Sequence, residues 1–206
     1  TASGKQFNNI YHTGLGTLQL STNDLQVNGN LTNSFGTFDA NTRAVTVTGT
    51  TLITGSTSNY LASSATQTFN GLFQISDNAT FTGSTGTVYL NSTFLQTSGS
   101  FIAPSTNLIV KDTFTRTGGT FTHNSGTVQF LADKGSSYSI AANNAVFNNV
   151  TFNRTTSPSG IPTITLKDNY FVAGNLTVRN DASIRYVMAG YEGASPEVTV
   201  LGNLNF

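Results

Sequence analysis

A short triplet returns every 20 residues along much of this chain, and that period constrains the fold more than any other feature. Its copies are Gly16-Thr17-Leu18, Gly36-Thr37-Phe38, Ala79-Thr80-Phe81, Gly99-Ser100-Phe101, Gly119-Thr120-Phe121 and Ala182-Ser183-Ile184. Neighbouring members sit 20 residues apart; the gap from 38 to 81 is 43 and that from 121 to 184 is 63, near two and three periods. A fixed period of this length is the mark of a repeat architecture.

Other positions keep the same register. Seven residues after each triplet's apolar member comes an alternating apolar pair: Leu25/Val27, Val45/Val47, Val88/Leu90, Leu108/Val110 and Val128/Phe130. Four residues later stands Leu31, Phe94 or Phe114, and seven more return to the next triplet. The C-terminal part reads the same way, with Tyr170/Val172, Leu176 and Ile184, then Val198/Val200 and Leu204. Gly-Asn-Leu at 29–31, 174–176 and 202–204 reads as one turn in three coils.

A spacing of two is a strand showing alternate side chains to one face. The intervening Gly, Asn, Ser and Thr are turn residues. No stripe of period 3.6 survives, so helices are not expected. One 20-residue coil of short strands cannot bury its own apolar face; stacking buries it against the next at ~4.8 Å. Phe81, Phe101 and Phe121 are expected in one column, and Val88, Leu108 and Val128 in another. Asn28, Asn30, Asn175 and Asn203 are expected at turns, in left-handed geometry and in amide ladders. The fold class is therefore all-β, a right-handed parallel β-helix of roughly ten coils. A β-sandwich is the alternative, but it demands no register held over several units.

Composition narrows the partners. Of 206 residues, 35 are Thr, 23 Asn, 21 Ser and 20 Gly, while Lys+Arg and Asp+Glu number 9 each. Zero net charge argues against nucleic acid, which needs a basic surplus, and against an anionic membrane surface. Fifteen Phe and seven Tyr argue against disorder. No apolar run is long enough to span a membrane. Without Cys there is no disulfide framework and no thiol chemistry. The chain begins Thr1-Ala2-Ser3 without Met, which reads as a processed or excised chain.

The phrases Phe7-Asn8-Asn9-Ile10, Phe147-Asn148-Asn149-Val150, Gly29-Asn30-Leu31-Thr32, Gly174-Asn175-Leu176-Thr177 and Asn124-Ser125-Gly126-Thr127-Val128 resemble the repeats of large secreted or cell-surface β-helix proteins of prokaryotes. The resemblance covers nearly the whole chain. It implies an adhesin, a sheath or filament component, or a surface stalk, and it carries no catalytic residue.

The chain reads as one domain over 1–206, with the register broken near 56–65, 135–145, 155–162 and 185–196. The last segment holds Tyr186, Met188, Tyr191 and Glu192, a candidate partner-contacting loop. Both ends read as coils already in register, with no polar cap. Open coils expose unpaired main-chain groups and invite another strand. Phe7 and Ile10 at one end, and Leu204 and Phe206 at the other, are candidate subunit-interface residues. Copies stacked head to tail would form a filament; neighbouring repeats of a longer chain are the alternative partner.

Catalytic chemistry finds little support. Glycoside cleavage needs two positioned carboxylates, and the nine Asp and Glu are scattered. Lys111-Asp112 and Lys167-Asp168 read as local ion pairs on turns. His12 and His123 lack companion ligands, so no metal and no cofactor is expected. Thr-x-Thr elements point hydroxyls outward, but 80, 100 and 120 read Thr, Ser, Thr while 82, 102 and 122 read Thr, Ile, Thr, a poor flat array for ice or a glycan. Asn-x-Ser/Thr triplets occur at Asn30, Asn78, Asn91, Asn149, Asn153 and Asn175 and would suit a glycosylated surface coat. The expectation is a structural, non-enzymatic protein at the cell surface, with an adhesin or carbohydrate-binding module as the alternative and a polysaccharide lyase or hydrolase behind both.

Overall fold

The computed structural model describes residues 6–155, 162–178, 185–188 (main chain only) and 196–206. Every element in it is a strand of two to five residues, and every pairing is parallel. The strands form a three-faced β-solenoid. The first face is a ten-stranded sheet running from Gln6–Phe7 to Leu204–Asn205, and the second is nine-stranded, from Ile10–His12 to Arg185–Met188. The third face is divided. Six strands from Thr17–Gln19 to Thr120–Thr122 form its upper sheet, and Val146–Phe147, Tyr170–Val172 and Val198–Val200 form its lower one.

Side-chain parity builds the core. On the first two faces the outer residues of each three-residue strand point inward, as in Val45 and Val47 around Thr46. On the third face's upper sheet only the middle residue does, as in Phe81 between Thr80 and Thr82, whereas in its lower sheet Tyr170 and Val172 are buried around exposed Phe171. One residue per coil at a fixed place gives the expected columns. Phe38, Tyr60, Phe81, Phe101 and Phe121 stack ring on ring at 4.8, 5.2, 4.8 and 5.6 Å. A second column holds Phe73, Phe94 and Phe114 at 6.0 and 4.6 Å. Val88, Leu108 and Val128 align on the first face.

Several expectations need correction. The segment 56–65 is no mere insertion: Asn59–Leu61 is a third-face strand, and Tyr60 lies in the aromatic column. Its phenol donates to Gln67 Oε1 at 2.8 Å, and burial holds its pKa well above the ordinary value. Within 135–145, Tyr138–Ala141 is a second-face strand. The C-terminal register is displaced by one face. Tyr170/Val172 and Val198/Val200 pair on the third face, not the first. Gly29-Asn30-Leu31 therefore turns from first face to second, whereas 174–176 and 202–204 turn from third to first. Coils lengthen at the same time. On the first face Val150 pairs with Leu176, and Leu176 with Leu204, both longer steps along the chain than that from Leu108 to Val128.

The asparagines also differ from expectation. Positive φ falls on Asn41, Asn78, Asn124, Asn143 and Asn144 instead of Asn28, Asn30, Asn175 and Asn203. Asn28 does make a side-chain amide bond between coils, its Nδ2 donating to Gln6 Oε1 at 2.8 Å, but at Asn30, Asn175 and Asn203 the ladder runs between a side-chain oxygen and the next coil's main chain. Asn30 N–H donates to Asn9 Oδ1 and Thr50 N–H to Asn30 Oδ1, both at 2.8 Å. Asn175 N–H donates to Asn149 Oδ1 and Asn203 N–H to Asn175 Oδ1, at 2.9 and 3.1 Å. A corner N–H that no strand partner reaches is satisfied this way.

Candidate functional site

The first described coil exposes what deeper coils bury. Phe7 is 39% exposed, while its register partner Val27 is fully buried. Leu18 and Ile10 are likewise more open than their partners Phe38 and Leu31. Between them lies a cavity of about 630 Å³, lined also by Leu20, Leu25 and Phe38. At the other end of the described stack Leu204 is 51% and Phe206 85% exposed, and Leu201 is exposed too. The four interface candidates thus lie on the two end faces.

The second candidate set is not one loop. Tyr186 and Met188 stand on the second-face strand Arg185–Met188, in register with Ile164 and Leu166. Tyr191 and Glu192 lie outside the described residues.

Charges pair between coils, not within dipeptides. Lys134 Nζ reaches Asp112 Oδ2 at 2.7 Å and Lys111 Nζ reaches Asp133 at 4.0 Å, so Lys-Asp in one coil crosses Asp-Lys in the next. Thr155 N–H and Oγ1 also bond Asp133, both at 2.6 Å. Asp168 accepts from Ala142 and Asn143 N–H, at 2.5 and 2.8 Å. Among the described residues no three His, Asp or Glu side chains gather as a metal would need. His12 Nδ1 lies 2.6 Å from Asn33 Oδ1, and His123 Nδ1 accepts from Ser125 N–H at 3.0 Å.

Asp112 permits a titration test. Partial burial pushes its carboxyl up, but the bond from Lys134, the Thr113 N–H and the Lys134 charge outweigh it and hold it below the ordinary value. A depressed carboxyl stabilises the fold above the unfolded value of ~3.9, and that contribution disappears as pH falls through the folded value. Solvent reaches and screens the pair, so the effect on stability is small. Lys134→Met is expected to raise the Asp112 pKa, read by NMR titration of the carboxyl carbon; an unchanged value would show that Lys134 does not set it.

The outward columns of the third face are mixed. Thr17, Thr37, Asn59, Thr80, Ser100 and Thr120 form one, and Gln19, Asp39, Leu61, Thr82, Ile102 and Thr122 the other. Of the Asn-x-Ser/Thr positions, Asn30, Asn149 and Asn175 hold the corner ladders through Oδ1, and Asn91 donates to Asn70 Oδ1 at 2.8 Å. Asn78 is exposed on a turn.

Sequence reading missed the buried polar groups. Arg116 is 5% exposed and donates to Gln96 Oε1 and to the carbonyls of Ala142 and Gly119. Burial lowers its pKa and the Asp168 charge opposes that. The available signal was parity, since Arg116 stands two residues after inward Phe114 and so must point inward.

Known protein families, curated proteins and solved structures yield no match to this chain. Among the described residues no helix is long and apolar enough to cross a membrane.

Proposed function

We propose that this chain is a structural, non-enzymatic β-solenoid module of an extracellular filament, stalk or fibre, extended by stacking of end coils. The observation that carries the reading is the pair of apolar end faces, with Phe7 and Ile10 on one and Leu204 and Phe206 on the other, each framed by strand edges. Each edge is a template for one more parallel strand, and a head-to-tail contact that does not close gives a fibre. The partner is a second copy or the neighbouring repeat of a longer chain. The low charge and the crossed Lys-Asp pairs support a role in which the scaffold itself is the function.

Negative-stain microscopy and sedimentation velocity test this. Thin unbranched fibres with an axial repeat near one rod length, ~45–50 Å for ten strands, are expected, and Leu204→Lys is expected to abolish them without unfolding the chain. Short rods that stay single at every concentration would overturn stacking between copies.

The third-face column of Thr, Asn and Ser side chains supports a second reading, a carbohydrate-binding module of an adhesin. A glycan array would separate the two: binding lost with Thr80→Val and Thr120→Val favours the second, and an empty array removes it.

A further inference from the structure

Among the described residues two faces of the solenoid run unbroken, and the third does not. Its upper sheet ends at Thr120–Thr122, and its lower sheet begins at Val146–Phe147, which pairs only downward, with Tyr170–Val172. At that level the main-chain ladder is present on two faces instead of three. What remains on the third is an edge-to-face contact of Phe121 and Phe147, at 5.1 Å and 76°.

A chain of buried side chains crosses the same level at the corner between the second and third faces. Arg116 Nε donates to Gln96 Oε1, one coil above, at 2.8 Å. One terminal nitrogen donates to Gly119 O in its own coil at 2.9 Å, and the other to Ala142 O, one coil below, at 2.7 Å. Gln96 Nε2 donates to Thr120 O at 2.9 Å. One coil further down, Asp168 holds the Ala142 and Asn143 N–H groups. Side chains thus tie four successive coils together where one main-chain ladder stops.

The two sides of this joint are unequal. Above it, first-face register steps are short, as from Leu25 to Val45 and from Val88 to Leu108, and a continuous ring column fills the core. Below it the steps from Val150 to Leu176 and from Leu176 to Leu204 are longer, so more corner chain must be ordered for each strand pair. Stacked repeats hold together through nearest-neighbour interfaces, and a weakened interface divides them into separate cooperative units.

We propose that the rod consists of two cooperative blocks meeting at this joint, with Arg116 as the bolt between them, so that the lower block opens and recloses while the upper block stays folded. The first face runs through both blocks and reports on each. Native-state hydrogen exchange on the intact chain is the test. Amides of Asn149–Asn153 and Leu176–Val178 are expected to share one opening that is more frequent than that of Val88–Leu90 and Asn107–Val110. Arg116→Met keeps the buried bulk and removes the bolt. It is expected to raise opening of the lower block roughly tenfold or more, while the upper block, which loses the bonds to Gln96 and Gly119 but keeps all three of its main-chain ladders, moves by a smaller factor. Asp168→Asn is expected to shift the same block in the same direction by less. A single opening shared by all four strands in the wild-type chain, which needs no variant to fold, would overturn the proposal, as would equal losses in both blocks on removing Arg116.

Discussion

Phe81→Ala is expected to destabilise the chain by about 3–5 kcal/mol, the range for emptying a buried aromatic site. Phe81 is fully buried at the middle of the stacked column. Its ring lies 5.2 Å from Tyr60, 4.8 Å from Phe101 and 5.4 Å from Phe73, so no neighbour can collapse inward without leaving its own strand register. The rings also lose pair geometry beyond simple burial. Thr82→Ala, one residue along and outward, is the control, expected within about 0.5 kcal/mol. Urea unfolding of the two variants measures the difference. Equal midpoints for both would mean that the column does not carry the stability assigned to it here.

Gly99→Ala is expected to cost about 2–4 kcal/mol by two additive effects. Gly99 has φ +73°, a conformation costing an L side chain about 1–2 kcal/mol. A Cβ there would also collide with the Ala79 carbonyl oxygen of the coil above, which is main chain and cannot rotate away. That carbonyl is itself in the ladder, accepting from Ser100 N–H at 2.9 Å, so relief breaks a cross-coil bond. Gly16→Ala is the comparison, since a Cβ there meets nothing within 4 Å. Thermal unfolding of both variants tests the claim, and a Gly99 variant as stable as the Gly16 variant would refute it.

The solenoid was legible because its evidence repeats. A residue such as Phe101 meets the same kind of neighbour above and below, Phe81 and Phe121, so the pattern is written once per coil. Two-residue alternation then settles which side chains point inward. Legibility failed where a statement concerned one coil only. Asn59-Tyr60-Leu61 sits among polar residues and its strand is visible only through its pairing with Thr37–Asp39 and Thr80–Thr82. Lys111 and Asp112 are adjacent in sequence, yet each finds its partner in the following coil, because stacking brings side chains closer than a dipeptide's own geometry allows. The end-face residues were readable from their register. The joint around Arg116 was not, because no single coil contains it.

Period, parity and the apolar columns follow from the order of residues, since each is a local alternation repeated along the chain. Which face a given strand joins does not. Strands of three residues in a three-faced coil are locally alike, and the corner motif Phe-Asn-Asn-Ile at 7–10 leads from first face to second, while Phe-Asn-Asn-Val at 147–150 leads from third to first. The same corner serves either place because its bonds are made to the neighbouring coil, as Gly29 N–H to Asn8 O and Gly174 N–H to Asn148 O both show. Face assignment, the crossed ion pairs and the broken third face were therefore settled by stacking, where the partner of each main-chain group lies a full coil away along the chain.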